Sequence, residues 1–232
     1  MNIVVLAGGL SPERNVSFAS GAMVAQALQR KGHQVAMVDL YLGLEDYGHP
    51  LADLFRLPPP LPDLSIKEEE PDLEAVKAAR KLQSGSIFGQ GVLAACQMAD
   101  VVFNALHGES GEDGRIQAAF DMLGIAYTGS GYLGSAIAMD KNYTKQLAAA
   151  EGILTPQWRT VKLTDREIEE VERSEPLPCV VKIHNGGSSV GVFICRTGEE
   201  LHKALRECRR LGRQVLVEQF VEGRDFFCGV LD

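Results

Sequence analysis

The first half of the chain alternates short apolar runs with stretches in which apolar residues recur every three or four positions. The predicted strands are 2–6, 34–40 and 99–106, and the predicted helices lie at about 16–30, 72–83 and 115–123. Residues 41–70 are rich in proline and acidic residues and interrupt this pattern as an irregular excursion. Alternating strands and helices predict an α/β fold with a doubly wound, mostly parallel sheet over residues 1–130.

The pattern changes after Ser130, where strand-like runs cluster. The predicted helices lie at about 132–139, 141–151 and 198–211, and the predicted strands are 158–163, 179–183, 190–196, 214–221 and, after a turn at Gly223, 225–232. Clustered strands with occasional helices favour an antiparallel α+β domain over residues 131–232.

Composition narrows the classes of protein to consider. The chain has 232 residues, of which 45% are hydrophobic, and a net charge of −8. That charge disfavours nucleic-acid binding, which needs a basic face. No apolar run is long enough for a membrane span, and no leader is expected at the N-terminus. The five scattered cysteines, including Cys179, Cys195 and Cys228 in apolar runs, indicate reduced and mostly buried thiols in a cytoplasmic protein.

The first candidate site is the loop Gly8–Ser17, which leaves a strand and opens a helix. Ligands bind at this place in open α/β sheets, although the G-x-G-x-x-G dinucleotide spacing is absent. A helix N-terminus favours an anion, whereas Glu13 suits an ammonium group, so the loop fits a zwitterion such as an amino acid. The alternative interpretation makes Glu13 and Asn15 simple helix-start residues.

A second loop, His107–Gly114, also joins a strand to a helix, and its glycines permit close approach of the backbone. His107 is either a ligand-binding or a structural residue.

The third segment runs from Cys179 to Val192, where Lys182 ends an apolar strand and Gly186–Ser189 offers amides and hydroxyls to phosphate oxygens. Here the alternative is a hairpin turn with Lys182 reaching to water.

The third segment also matches G-x-S-x-G at Gly187–Gly191, as in serine hydrolases. We disfavour that interpretation because the motif needs a helix after the turn, and a strand is predicted here.

The fourth segment, Val215–Asp225, is an alternating strand that leads into a glycine turn. Glu218 and Asp225 fit an amine and ribose hydroxyls, but on spacing alone they are expected to be solvated edge charges.

Together these segments resemble the D-alanine–D-alanine ligases of the ATP-grasp superfamily. The matching motifs are Gly8–Ser17, His107-Gly108 with Gly111–Gln117, Tyr127–Gly131, Met139–Lys141, Gly152–Pro156, Val181-Lys182 with Gly187–Val192, and Val217-Glu218 with Gly223. They occur in the family's order along the whole chain. The resemblance implies that residues 131–232 form the first ATP-grasp subdomain.

The resemblance implies ATP-dependent joining of two D-alanines through an acyl phosphate, for peptidoglycan and cell-shape maintenance. Glu13 and Ser188 would be catalytic, with Glu13 holding the ammonium of the first D-alanine. The implied substrate-binding residues are Glu13, Val16, His107 and Ser188. The implied nucleotide-binding residues are Lys141, Lys182, Ser188, Ser189, Glu218, Gln219, Phe220, Val221 and Asp225.

Some features depart from the family pattern. Ile183 replaces a usual proline, His184-Asn185 is atypical, Gln219 replaces a common lysine, and Asp225 stands where glutamate is usual. The family's Mg²⁺ ligands and its phosphoryl-stabilising arginine are expected beyond residue 232, so no metal ligand is assigned here. We therefore expect an incomplete ATP-grasp domain in a truncated chain, which is inactive alone or at most binds amino acid or nucleotide. The choice among D-alanine, D-lactate and D-serine as second substrate stays open, and so does a homodimer.

Overall fold

A computed structural model of the chain describes residues 1–61, 71–184, 191–212, 214–226 and 228–229. The chain divides into two compact units, Met1–Met139 and Asp140–Asp232. The division falls nine residues after the predicted boundary at residue 130.

The elements of the first unit follow the predicted alternation. They are β1 (Asn2–Ala7), α1 (Arg14–Arg30), β2 (Gln34–Asp39), a 3-10 turn (Leu51–Asp53), α2 (Leu73–Ala79), α3 (Val92–Met98), β3 (Val101–Asn104), α4 (Arg115–Leu123) and α5 (Tyr132–Met139). Helix α5 belongs to this unit because it packs against α4, which explains the later division.

The sheet of the first unit is parallel, with strand order β2-β1-β3. Successive side chains of a strand point to opposite faces, so β1 buries both of its faces. Ile3 and Val5 pack in a cluster with alanines of α1, whereas Val4 and Leu6 pack with residues of α3 and α4. Helices therefore cover both faces of the sheet, which confirms the predicted doubly wound fold.

The second unit is built on an antiparallel sheet with strand order β4-β7-β5-β6. Its elements are α6 (Lys141–Ala150), β4 (Trp158–Lys162), α7 (Asp165–Ser174), β5 (Cys179–Ile183), β6 (Val192–Cys195), α8 (Gly198–Leu211) and β7 (Gln214–Gln219). Val181 and Val217 pack in one core with buried residues of α7 and α8. The neighbouring residues Lys182 and Glu218 alternate away from that core, so the opposite face of the sheet carries charge.

Two helices were not predicted from the sequence, α3 and α7. Helix α7 is mostly charged and buries only Ile168 and Val171, so its apolar pattern is short. Its start had a usable signal, because Thr164 caps the helix by accepting a hydrogen bond from the amide of Glu167 (3.3 Å).

The prediction of a strand at 225–232 was wrong for the residues that the structure describes there, which have no strand. Cys228 is accordingly exposed rather than buried, while Cys96, Cys179, Cys195 and Cys208 are buried and free, as predicted. In the described part of the chain, no helix is both long and apolar enough to cross a membrane.

Candidate functional site

The loops of the first unit are fixed where β1 and β3 end. The hydroxyl of Ser17, in the first turns of α1, donates to the carbonyl oxygen of Ala105 (2.7 Å) and accepts from the amide of Gly8 (2.9 Å). Ser17 is fully buried, so both bonds are shielded from water. One hydroxyl thus ties the helix to the carboxyl ends of both strands, the edge at which ligands bind in parallel sheets.

Arg14 is a structural residue of the same loop. Its guanidinium donates to the carbonyl oxygen of Gly9 (2.6 Å), forms a buried ion pair with Asp39, and lies 4.8 Å from the centre of the Phe18 ring. A buried guanidinium needs such a counter-ion. Arg14 is therefore occupied in holding the loop against β2, and its neighbour Glu13 is left to face the second loop.

Glu13 lies against the second loop, as the space around Gly108 shows. A Cβ atom built on Gly108 would lie 2.6 Å from the Ser11 hydroxyl oxygen and 3.0 Å from Oε2 of Glu13. Glu13 is the N-cap residue of α1, yet its side chain makes no capping hydrogen bond. Its carboxylate lies beside Gly108 instead, so Glu13 stands at the helix start without capping it through its side chain.

His107 lies next to Gly108, and its Nε2 is 3.1 Å from the hydroxyl oxygen of Ser20 in α1. The sequence did not single out Ser20, although it lies one helical turn after Val16. Val16 itself is 42% exposed on this helix. The first unit therefore brings together Glu13, Val16 and His107, three of the four predicted substrate-binding residues.

The acidic residues of the second loop stabilise its backbone. Glu112 accepts a hydrogen bond from the amide of Gly108 (3.0 Å), and Asp113 accepts one from the amide of Ser110 (3.0 Å). Gln117, at the start of α4, donates to the carbonyl oxygen of Gly111 (2.7 Å). These polar side chains of the motif therefore build the loop that presents His107.

In the second unit, Lys145 and Lys182 contact the carboxylate of Glu218, and the charges of Lys182 and Glu218 also act on Lys141. We call these three lysines and Glu218 the lysine cluster. Glu218 is 5% exposed; one of its carboxylate oxygens pairs with Lys182 and the other lies 2.9 Å from Nζ of Lys145. The expectation that Glu218 is a solvated edge charge was wrong. The face of β7 that carries Glu218 is covered by Lys145 of α6, and the alternating pattern of β7 alone does not show this cover.

Lys145 is the member of the cluster that sequence analysis missed. Its Nζ also donates to the hydroxyl of Thr155 (2.6 Å) and lies 5.1 Å from the centre of the Trp158 ring, a cation–π contact. A usable signal was the spacing, because residues four apart on a helix share one face and Lys145 follows Lys141 by four.

The charges of the cluster perturb one another. Burial alone would raise the pKa of Glu218, but Lys182 and Lys145 together outweigh it and hold that pKa below its ordinary value. Burial, reinforced by the charge of Lys182, lowers the pKa of Lys141. The cluster thus places positive charge in a partly desolvated site, where it attracts anions strongly.

The remaining predicted nucleotide-binding residues that the structure describes lie at the end of β7 or after it. The backbone amide of Gln219 donates to the carbonyl oxygen of Gln157 (2.9 Å). The centre of the Phe220 ring lies 4.9 Å from the guanidinium carbon of Arg196, and Val221 and Asp225 are exposed. The predicted residues Ser188 and Ser189 lie outside the described residues. Among the residues that the structure describes, no three acidic, histidine or cysteine side chains lie together as a metal site would require.

Comparison with known proteins identifies the family. The sequence model for the N-terminus of the D-Ala-D-Ala ligases matches residues 2–130, and the model for their C-terminus matches residues 147–232. The chain belongs to the D-alanine–D-alanine ligase family. This family has the ATP-grasp fold, so the second unit with its four-stranded antiparallel sheet is an ATP-grasp subdomain, as predicted.

Curated relatives agree with this assignment. All of the chain is 40% identical to the D-alanine–D-alanine ligase of Lacticaseibacillus casei, of which it spans 64%. It is 39% identical over its full length to the enzyme of Pediococcus pentosaceus, of which it spans 66%.

Solved structures give the same picture. The D-alanine–D-alanine ligase of Bacillus anthracis superposes on 96% of the chain with a TM-score of 0.65 and 28% identity, and 58% of that enzyme is covered. The same enzyme complexed with ATP has a TM-score of 0.65 and 28% identity, over 96% of this chain and 57% of the enzyme.

Proposed function

We propose that the chain supplies the amino-acid-binding and phosphate-binding parts of an ATP-dependent ligase that joins two D-alanines into D-alanyl-D-alanine. The observation that carries this proposal is the lysine cluster. Three ammonium groups around one buried carboxylate leave a net charge of about +2, which suits the phosphates of a nucleotide. Family membership then selects ATP as the nucleotide.

Within the cluster, we assign the phosphates to Lys141 and Lys182. The Lys182 side chain is 30% exposed, whereas that of Lys145 is 11% exposed and is held by Thr155 and Trp158. Lys182 can therefore turn towards a phosphate while Lys145 continues to neutralise Glu218. Each Glu218 oxygen keeps a second lone pair, which fits the predicted hydrogen bond from the adenine amine.

In the first unit, we assign the ammonium group of the first D-alanine to Glu13. Its carboxylate lies beside Gly108, which has no side chain, and His107 is the adjacent residue of that loop. Val16 would contact the methyl group, and Ser188 is the fourth residue that we assign to substrate binding. Ser189 would bind phosphate, while Gln219, Phe220, Val221 and Asp225 would bind the base and ribose.

The wider assignments follow from the family and remain proposals. The product would enter peptidoglycan synthesis in the cytoplasm and so affect cell shape, and the protein would act as a homodimer. Mg²⁺ would accompany ATP, but the described residues do not fit a metal ion, so we assign it no step here.

Ligand binding by the 232-residue chain tests the proposal. We expect calorimetric titration to show one site for the non-hydrolysable analogue AMP-PNP and one for D-alanine. Lys182→Met should remove the first without affecting the second, and Glu13→Gln should do the reverse. The absence of AMP-PNP binding by the wild-type chain would refute the proposal, and the absence of D-alanine binding would refute its amino-acid part.

A phosphate-release assay with ATP and D-alanine adds the catalytic test. Binding of both ligands without phosphate release assigns the chain a binding role only. D-alanine-dependent release, with the dipeptide detected by mass spectrometry, assigns it the complete reaction.

A further inference from the structure

A histidine–aspartate pair joins the two segments of the second unit that carry Lys141 and Lys182. Nε2 of His184 lies 2.9 Å from one carboxylate oxygen of Asp140. Both side chains are mostly buried, with 16% and 18% exposed. A ring nitrogen at this distance from a carboxylate oxygen carries the proton and donates it, whether the ring is neutral or charged.

Asp140 uses its other oxygen to start a helix. That oxygen accepts hydrogen bonds from the amides of Asn142 (3.0 Å) and Tyr143 (2.9 Å), so Asp140 caps α6. One carboxylate therefore fixes the first turn of α6 and, at the same time, binds a side chain from the end of β5. The cap alone would not require this second contact.

The positions of the pair in the chain decide what it holds. Asp140 directly precedes Lys141, and His184 follows Lys182 by two residues, one position beyond the end of β5. The bond between them fixes the distance between the backbone segments from which the two lysines extend. These lysines repel each other, since the charge of Lys182 helps to lower the pKa of Lys141.

We propose that His184 and Asp140 are positioning residues that hold Lys141 beside Lys182 so that both ammonium groups reach the same polyphosphate. This inference rests on the proposed function, because it specifies how the phosphate site is assembled. The sequence marked His184 only as an atypical residue, and the structure gives it this role.

Two substitutions differ only in reach and so test the pair directly. His184→Gln places an amide nitrogen at about the position of Nε2 and can still donate to Asp140. His184→Asn places it at about the position of Nδ1, too far from Asp140. If the pair positions Lys141, glutamine should rescue and asparagine should not. Should His184→Asn not fold, His184→Ser, which also lacks reach, replaces it.

The first readout needs no ligand. Competitive acetylation with trace acetic anhydride across pH, followed by mass spectrometry, measures the pKa of the Lys141 amine. The charged groups that act on this amine include Lys182, Asp140 and Glu218. We expect the lowered pKa to persist in His184→Gln and to rise towards its ordinary value in His184→Asn. Each unit by which this pKa rises would reduce the fraction of neutral amine near pH 8 about tenfold.

The second readout is affinity for AMP-PNP. His184→Asn should weaken binding about tenfold or more, whereas His184→Gln should stay within about threefold of wild type. An unchanged Lys141 pKa in folded His184→Asn would overturn the inference. So would a failure of both short variants to fold while His184→Gln folds, since the pair would then be a folding element. If wild type does not bind AMP-PNP, the proposed function fails, and the acetylation result still decides whether the pair positions Lys141.

Discussion

Replacing Glu218 with glutamine tests the charge balance of the lysine cluster. Glutamine has the shape of glutamate but no charge, so Lys145 and Lys182 lose their shared counter-ion. Lys182 is partly exposed and can turn to water, so most of the cost comes from Lys145, which is nearly buried. Breaking a buried ion pair costs ~3–5 kcal/mol of stability. The cost is smaller here because the buried ammonium of Lys145 keeps glutamine as a neutral hydrogen-bond acceptor. We expect Glu218→Gln to lower the free energy of unfolding by about 2–3 kcal/mol at pH 7.

The assay uses the single tryptophan of the chain, Trp158, which contacts Lys145 and therefore reports on this unit. With an m-value of about 2 kcal/mol per molar urea, the fluorescence midpoint should fall by about 1–1.5 M. The exposed residue Glu222 provides a matched control, and Glu222→Gln should shift the free energy by less than about 0.5 kcal/mol.

The pH dependence gives a second check on Glu218→Gln. Because the pKa of Glu218 is lowered in the folded state, its stabilisation is complete above the ordinary glutamate pKa and is lost as pH falls through the lowered value. The difference in free energy of unfolding between wild type and variant should therefore be complete at pH 7. It should shrink as the pH falls below about 4.3. Equal midpoints at pH 7, or a difference that does not change with pH, would refute this account of the cluster.

Three further predictions concern other parts of the chain. Gly108→Ala should weaken D-alanine binding about tenfold or more by calorimetry, because its Cβ would lie 2.6 Å from the Ser11 hydroxyl oxygen. Gly124→Ala, also at positive φ but with open space around it, should leave that affinity unchanged. Thr197→Ala should lower the free energy of unfolding by about 1 kcal/mol in urea titrations, because Thr197 caps α8; no shift would contradict the cap. Iodoacetamide should modify the exposed Cys228 of the native chain, with peptide mapping as the readout. Rapid modification of a buried cysteine would contradict the fold.

Much of the fold was predictable because apolar periodicity depends directly on burial. The predicted bounds of α4, α5, β5 and α8 match the structure. Helix α7 was missed because charge dominates its sequence and only two residues face the core. The described residues after Gly223 do not form the predicted strand for a related reason, since an apolar run in the sequence resembles a strand whether or not it pairs.

The candidate site was predicted in part. Glycine loops at strand ends revealed where Glu13, His107 and Lys182 lie, because the position of a loop follows from the order of elements. Contacts between side chains from different elements were not visible in the sequence. The burial of Glu218 under Lys145 is one example, and the bond from His184 to Asp140 is another.

The central claim is that the lysine cluster binds the phosphates of a nucleotide. Calorimetric titrations of the chain with AMP-PNP and with adenosine test it most directly, because the two ligands share the base and ribose and differ in the phosphates. We predict that wild type binds AMP-PNP at least about 100-fold more tightly, and that Lys141→Met with Lys182→Met removes most of this preference. Equal affinity of wild type for both ligands, or an undiminished preference in the double variant, would contradict the claim.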